Sequence, residues 1–259
     1  AGALTVSGAS FEQRGGSTTG AAIVLLNATF SSTGAGGASF VAHQSATVSG
    51  TIGASQSLRV EAVACSYNTQ VDVTGNLTNA GSLTLTTTGC GGAYALLQGP
   101  GLLTNTTTGT ISSTAGTGGE RYLRLDLRNQ GLVQVDHPVA FDQALRTFTN
   151  EGTLRLTQAM STANATVRNL AGSIDGTGAG QLTAAAGSTF QQGDGDTSGN
   201  PVVVLQSDLA FLAGSSGSSA FVAHQSVGLA GDLPVGAALT IEAVACSYNT
   251  SVTAAGAFT

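Results

Sequence analysis

A chain of 259 residues with 14 acidic against 8 basic side chains, a net charge of −6 and only 8% charged residues has no basic surface on which a nucleic acid could be neutralised. All eight basic residues are arginines, which excludes chemistry that needs a side-chain amine, such as a Schiff base or a phosphate-loop lysine. Tryptophan is absent, aromatics are 5% and glycines number 37, so stacking platforms for sugars or single strands are scarce and a turn-dense fold is expected.

In chain order, the first apolar run, Ala21 to Leu26, is far short of the ~20 residues that cross a bilayer, and no longer run follows, so no membrane insertion is expected. Two distinctive words come next, Phe40-Val-Ala-His-Gln-Ser45 and Glu61-Ala-Val-Ala-Cys-Ser-Tyr-Asn-Thr69. From residue 77 a shorter grammar takes over: Leu77-Thr-Asn79-Ala-Gly81-Ser-Leu-Thr-Leu85, Leu103-Thr-Asn105 with Gly109-Thr-Ile111, Leu127-Arg-Asn129-Gln-Gly131-Leu-Val-Gln-Val135, Phe148-Thr-Asn150-Glu-Gly152-Thr-Leu-Arg-Leu156, and Val167-Arg-Asn169-Leu-Ala-Gly172-Ser-Ile174. The asparagines are 26, 24, 21 and 19 residues apart. Alternation such as Leu83/Leu85 and Val133/Val135 has the period of a strand with one buried face. Asn followed two places on by Gly marks a tight turn in which those residues tolerate positive φ. A rung of this length cannot bury its apolar face alone, whereas stacked parallel rungs share a continuous core. The predicted fold is all-β, a single elongated parallel β-helix with rungs of about 19–26 residues.

Downstream, both opening words return. Phe221 to Ser226 and Glu242 to Thr250 repeat the earlier words at an offset of 181 residues, Phe211 answers Phe30 at the same offset, and Phe190 answers Phe11 at 179. Residues 1–181 therefore read as one complete unit and residues 182–259 as a partial second copy continuous with it. Cys65 and Cys90, about one rung apart, are expected to form a structural disulfide, which implies an oxidising, extracellular or cell-surface setting. Cys246 repeats Cys65, and the partner of Cys90 would fall beyond residue 259. The rival role is a nucleophilic Cys65 assisted by His43, for which no third orienting group is evident.

These turns, the Gly/Thr/Ala richness and the lack of lysine resemble large secreted bacterial parallel β-helix proteins. That resemblance implies a right-handed coil and membership among adhesin-like, tandem-repeat surface proteins. It does not bring an activity with it, because the same fold carries pectate lyases and polygalacturonases.

Three chemical alternatives are expected to be weaker than a structural role. Asp194, Asp196, Ser198 and Asn200 alternate like the start of a calcium loop, but Leu205 stands where a bidentate Glu is needed. The charged stretch Glu120, Arg121, Arg124, Asp126, Arg128, with Glu151 and Arg155 beyond, holds carboxylates at rung-like spacing that suit either glycan cleavage or an ion-pair ladder. Thr84, Thr86, Thr110 and Ser112 suggest a hydroxyl-bearing face of the ice-binding kind, interrupted by Gln134 and Asp136. The expected role is a structural or adhesive stalk or filament segment of a long extracellular repeat protein. Catalysis, cofactors and metal are not expected. The expected partners are further copies of the repeat, an extracellular surface or a glycan.

Overall fold

The computed structural model describes residues 2–63, 65, 67–244 and 249–255. About 60% of the chain is strand, all of it paired in parallel, in a β-solenoid of about 12 turns, with no helix among the described residues. It divides into two units, Ala1–Val139 and Ala140–Thr259.

In the first unit two columns of strands climb side by side. One runs through Thr5–Ser7, Ile23–Thr33, Ala38–Ile52, Gln56–Ala62, Ser82–Thr87 and Thr110–Ser113. Its register stacks Ile23, Phe40, Leu58, Leu83 and Ile111 in one inward column and Leu25, Ala42, Val60 and Leu85 in the next. The other includes Ser10–Gln13, Thr69–Asn79, Ala95–Asn105 and Arg121–Asn129, with the long strands Ile23–Thr33 and Ala38–Ile52 contributing to both. Within Arg121–Asn129 every second residue is buried, which is why Leu123, Leu125 and Leu127 occur at period two.

The second unit repeats the arrangement in shorter strands. Thr147–Asn150, Thr166–Asn169, Thr189–Gln192 and Asp208–Phe211 stack Phe148, Val167, Phe190 and Leu209. The 181-residue echo is a structural one. Phe11, Phe30 and Phe40 meet in the first unit, with the last two ring centroids 4.3 Å apart. Their counterparts Phe190 and Phe211 both pack on Phe221, at 5.5 and 5.6 Å.

The asparagines stand directly before the turns, as their spacing suggests, but without left-handed geometry. Asn79, Asn105, Asn129, Asn150 and Asn169 each end a strand, are fully buried, and carry no positive φ. They form amide ladders along the core. Asn79 Nδ2 donates to Asn105 Oδ1 at 2.8 Å, and Asn105 Nδ2 donates to Asn129 Oδ1 at 2.8 Å. In the second unit Asn150 Nδ2 donates to Asn169 Oδ1 at 3.0 Å. Each of these donors also reaches a backbone carbonyl of the following rung, those of Thr110, Leu132 and Ser173. Left-handed geometry at non-glycine residues falls elsewhere, at Asn27 and Gln44 in the first unit and at Leu145, Asn164, Ala186, Gln206 and Gln225 in the second. Gln44 and Gln225, 181 residues apart, share a φ of 62°.

Candidate functional site

Chemistry in the first unit concentrates where His43, Arg59 and Glu61 meet. His43 lies in Ala38–Ile52 and Arg59 and Glu61 in the next rung, Gln56–Ala62. Alternation turns Arg59 outward, while Glu61 sits nearly buried at the strand end. Glu61 Oε2 is 3.2 Å from His43 Nε2 and 2.9 Å from an Arg59 guanidinium nitrogen, and Glu61 Oε1 accepts a hydrogen bond from Thr88 Oγ1 at 3.0 Å. Burial acts to raise the Glu61 pKa, but the hydrogen bonds from His43 and Thr88 and the charges of Arg59 and His43 outweigh it and hold the carboxyl below its ordinary value. Beside this cluster runs an open groove of about 450 Å³ whose polar lining includes Ser39, Ser57, Arg59 and Thr84.

The second unit shows which part of this cluster the repeat keeps. His224 Nε2 lies 3.4 Å from Glu242 Oε2, but Thr240 stands where Arg59 would be. The supporting bridge is also kept. Gln44 N donates to Thr69 Oγ1, which donates to the Glu61 carbonyl, and Gln225, Thr250 and Glu242 do the same. The recurring element is thus a His–Glu pair that ties one rung to the next. No group of three or more His, Cys, Asp or Glu side chains that could hold a metal ion comes together among the described residues.

A Glu61 carboxyl whose folded pKa lies below the ordinary 4.5 stabilises the fold above that value, and the contribution fades as the pH falls through the folded pKa. Urea midpoints measured from about pH 6 down to about pH 3 should therefore decline less steeply for Glu61→Gln than for the unaltered protein.

Cys65 and Cys90 are bonded, with Cα atoms 4.5 Å apart, so Cys65 offers no free thiolate to His43. Cys246 lies outside the described residues. The disulfide joins the loops around residues 65 and 90, and a third loop, residues 114–120, stacks on the second. Thr117 N donates to the Thr87 carbonyl at 3.0 Å, Thr117 Oγ1 donates to the Gly89 carbonyl, and Thr87 Oγ1 donates to the Gly118 carbonyl. Removing the crosslink by Cys65→Ser with Cys90→Ser should lower stability by about 3 kcal/mol, since it closes a loop with a separation of 25 residues. Chemical denaturation with and without reductant measures this directly, and reductant should leave the double variant unchanged.

Arg121, one of the charged stretch, is fully buried and donates to the carbonyls of Gly118, Gly119 and Thr114 at 3.1, 2.8 and 3.0 Å. It therefore holds its own loop closed. Burial lowers its pKa to about 10, and burial together with the Arg121 charge pushes His137 down. A Gly-rich stretch directly before an arginine at a strand start was the available signal. On the outward face of the same strand, Arg124 lies over the Tyr122 ring at 4.3 Å and Tyr122 meets Tyr94 edge-on. Asp126 falls in the first unit and Glu151 in the second.

The stretch that carries the calcium-loop pattern is a strand: Asp196–Gly199 pairs with Ser173–Gly176, and its alternation puts Asp196 and Ser198 on the same exposed face. Asp194 accepts from Ser216, Asp196 accepts from Ser218 N, Ser198 donates to Asp175, and Asn200 donates to the Gly178 and Gly180 carbonyls. The hydroxyl face is short. Ser39, Ser57, Ser82 and Thr110 share a column, and Thr84 hydrogen-bonds Ser112, but Val41 and Arg59 precede Thr84 in its column and Gln134 follows Ser112.

Compared with known proteins, the chain matches no family model, no curated protein and no solved structure. No helix among the described residues is long and apolar enough to cross a membrane.

Proposed function

We propose that the chain is a structural or adhesive segment of a long extracellular, adhesin-like repeat protein, a stalk or filament section whose stacked rungs are its working part and which catalyses no reaction. The observation that carries this reading is the recurrence of a whole local structure at a fixed offset. The Phe triad, the left-handed Gln44 and Gln225, and the His–Glu pair with its threonine bridge are all rebuilt 179–181 residues on. What is repeated serves rung-to-rung cohesion, as expected where length itself is selected. The Cys65–Cys90 bond supports an oxidising compartment.

The experiment is a turnover assay on acidic and neutral polysaccharides, with Asp126→Asn and Glu151→Gln as comparisons. The expected result is no sugar release. Release that either substitution abolishes would overturn the reading in favour of a carbohydrate-active β-helix.

A further inference from the structure

We infer that the groove beside His43, Arg59 and Glu61 binds an acidic saccharide, whose carboxylate meets Arg59 and whose hydroxyls meet Ser39, Ser57 and Thr84. This rests on the adhesive form of the reading above and names its ligand. Register builds the site. Ser39 pairs with Ser57 and Val41 with Arg59 across one step of the coil, and Arg59 pairs with Thr84 across the next. Alternation turns these side chains away from the core, which Phe40, Leu58 and Leu83 fill. Hydroxyls and one guanidinium therefore stand on three successive rungs. Rungs repeat at about 4.8 Å, close to the length of one sugar in an extended chain, and the groove's volume of about 450 Å³ is that of a small-ligand site.

The second copy shows that the coil does not need this lining. There Ala220 pairs with Ala238 and Val222 with Thr240, so Ser39, Ser57 and Arg59 give way to Ala220, Ala238 and Thr240, while Phe40, Val41, His43, Leu58 and Glu61 recur as Phe221, Val222, His224, Leu239 and Glu242. The His224–Glu242 contact persists with Thr240 beside it, so the pair does not depend on an arginine. In the first unit the dependence runs the other way. Glu61, fixed by His43 and Thr88, holds one Arg59 guanidinium nitrogen at 2.9 Å, and the arginine side chain stays 48% exposed. A guanidinium carries five N–H donors in a planar fork, so the anchored Arg59 still presents donors to a carboxylate, and the anchoring lowers the cost of ordering it on binding. A chain of net charge −6 repels an acidic ligand on average, which makes a held cation flanked by hydroxyls the condition for recognising one.

Isothermal titration tests this, with acidic trisaccharides carrying galacturonate, glucuronate or N-acetylneuraminate, maltotriose as the neutral comparison and sodium acetate as the bare anion. At least one acidic trisaccharide should bind about tenfold or more tightly than maltotriose or acetate. Arg59→Thr, which installs the residue type of the second copy, should weaken that binding about tenfold or more, and Ser57→Ala about threefold. Arg155→Thr, at an exposed position of the second unit, should leave it unchanged. Should Arg59→Thr lose its strand spectrum, Arg59→Gln replaces it with the same expected loss. No acidic trisaccharide bound better than maltotriose, acetate bound equally well, or undiminished binding to the folded Arg59 variant would overturn the inference. Any of these leaves the non-catalytic stalk reading intact, whereas sugar release in the turnover assay would remove that reading without touching the binding result.

Discussion

Asn105→Ala should lower stability by about 4 kcal/mol, the largest effect expected of any single polar side chain in the first unit. Its carboxamide accepts from Asn79 Nδ2 and donates to Asn129 Oδ1 and to the carbonyls of Gly109 and Leu132. The site is fully buried, so deleting the amide strands these groups where no solvent replaces it, and each orphaned buried group costs about 1–3 kcal/mol. Asn105→Asp should give no rescue, because an ionised carboxylate has no hydrogen to donate to Asn129 or Leu132. Asn27→Ala is the contrasting case. Its amide bridges Gln44 and Ser45 on the exposed side at a left-handed φ of 50° that alanine disfavours, so its loss should cost about 1–2 kcal/mol, well below Asn105→Ala. Urea denaturation of the three variants checks the order.

Gly131→Ala should destabilise by more than about 4 kcal/mol, or prevent folding. A β-carbon at residue 131 would lie 2.2 Å from the Thr106 carbonyl oxygen and 2.3 Å from that of Gly109. Both are backbone atoms of the preceding rung, so relief requires the rungs to separate, and separation breaks the parallel hydrogen bonds on either side. Gly178→Ala isolates the alternative cause. Its φ is +59° with open space around it, so the cost there is conformational and should be about 1 kcal/mol. If the two substitutions cost the same, close approach is not what selects glycine after the asparagine.

The contrast bears on how much of the fold was legible in the letters. From residue 77 to 174 the rungs announce themselves, because a buried amide ladder demands asparagine at one position per turn and close stacking demands glycine soon after. The spacing and the turn after each asparagine were readable but the ladder was not, because local sequence does not show that the side chain before a turn bonds to the next coil. The left-handed positions Leu145, Ala186, Gln206 and Gln225 went unseen because they are not residue types that favour positive φ. Tertiary stacking imposes that conformation on them. The rungs before residue 63 carry no ladder asparagine, and only their alternation hinted at strands.

At the site level, Cys65 with Cys90 followed from rung spacing, since neighbours along the axis are a rung apart in sequence. The His43–Glu61 pair was half visible: both residues sit in the repeated words, but their meeting depends on an 18-residue rung that no punctuation marks. Alternate oxygen-bearing residues from Asp194 to Asn200 suit a cation loop and a strand equally well, and only the pairing with Ser173–Gly176 shows the strand. The burial of Arg121 was not legible, since a buried guanidinium is rare without a carboxylate. Here three carbonyls of its own loop and its neighbours take that place.

The central claim is that rungs are held in register by side-chain columns inside the core, and hydrogen exchange of the asparagine carboxamides tests it most directly. In protein labelled at asparagine nitrogen and transferred to D₂O, the side-chain amide protons of Asn79, Asn105, Asn129, Asn150 and Asn169 should exchange only as fast as the fold opens, while those of the exposed Asn68 should be lost at once. Five ladder amides that vanish as quickly as Asn68 would contradict the account.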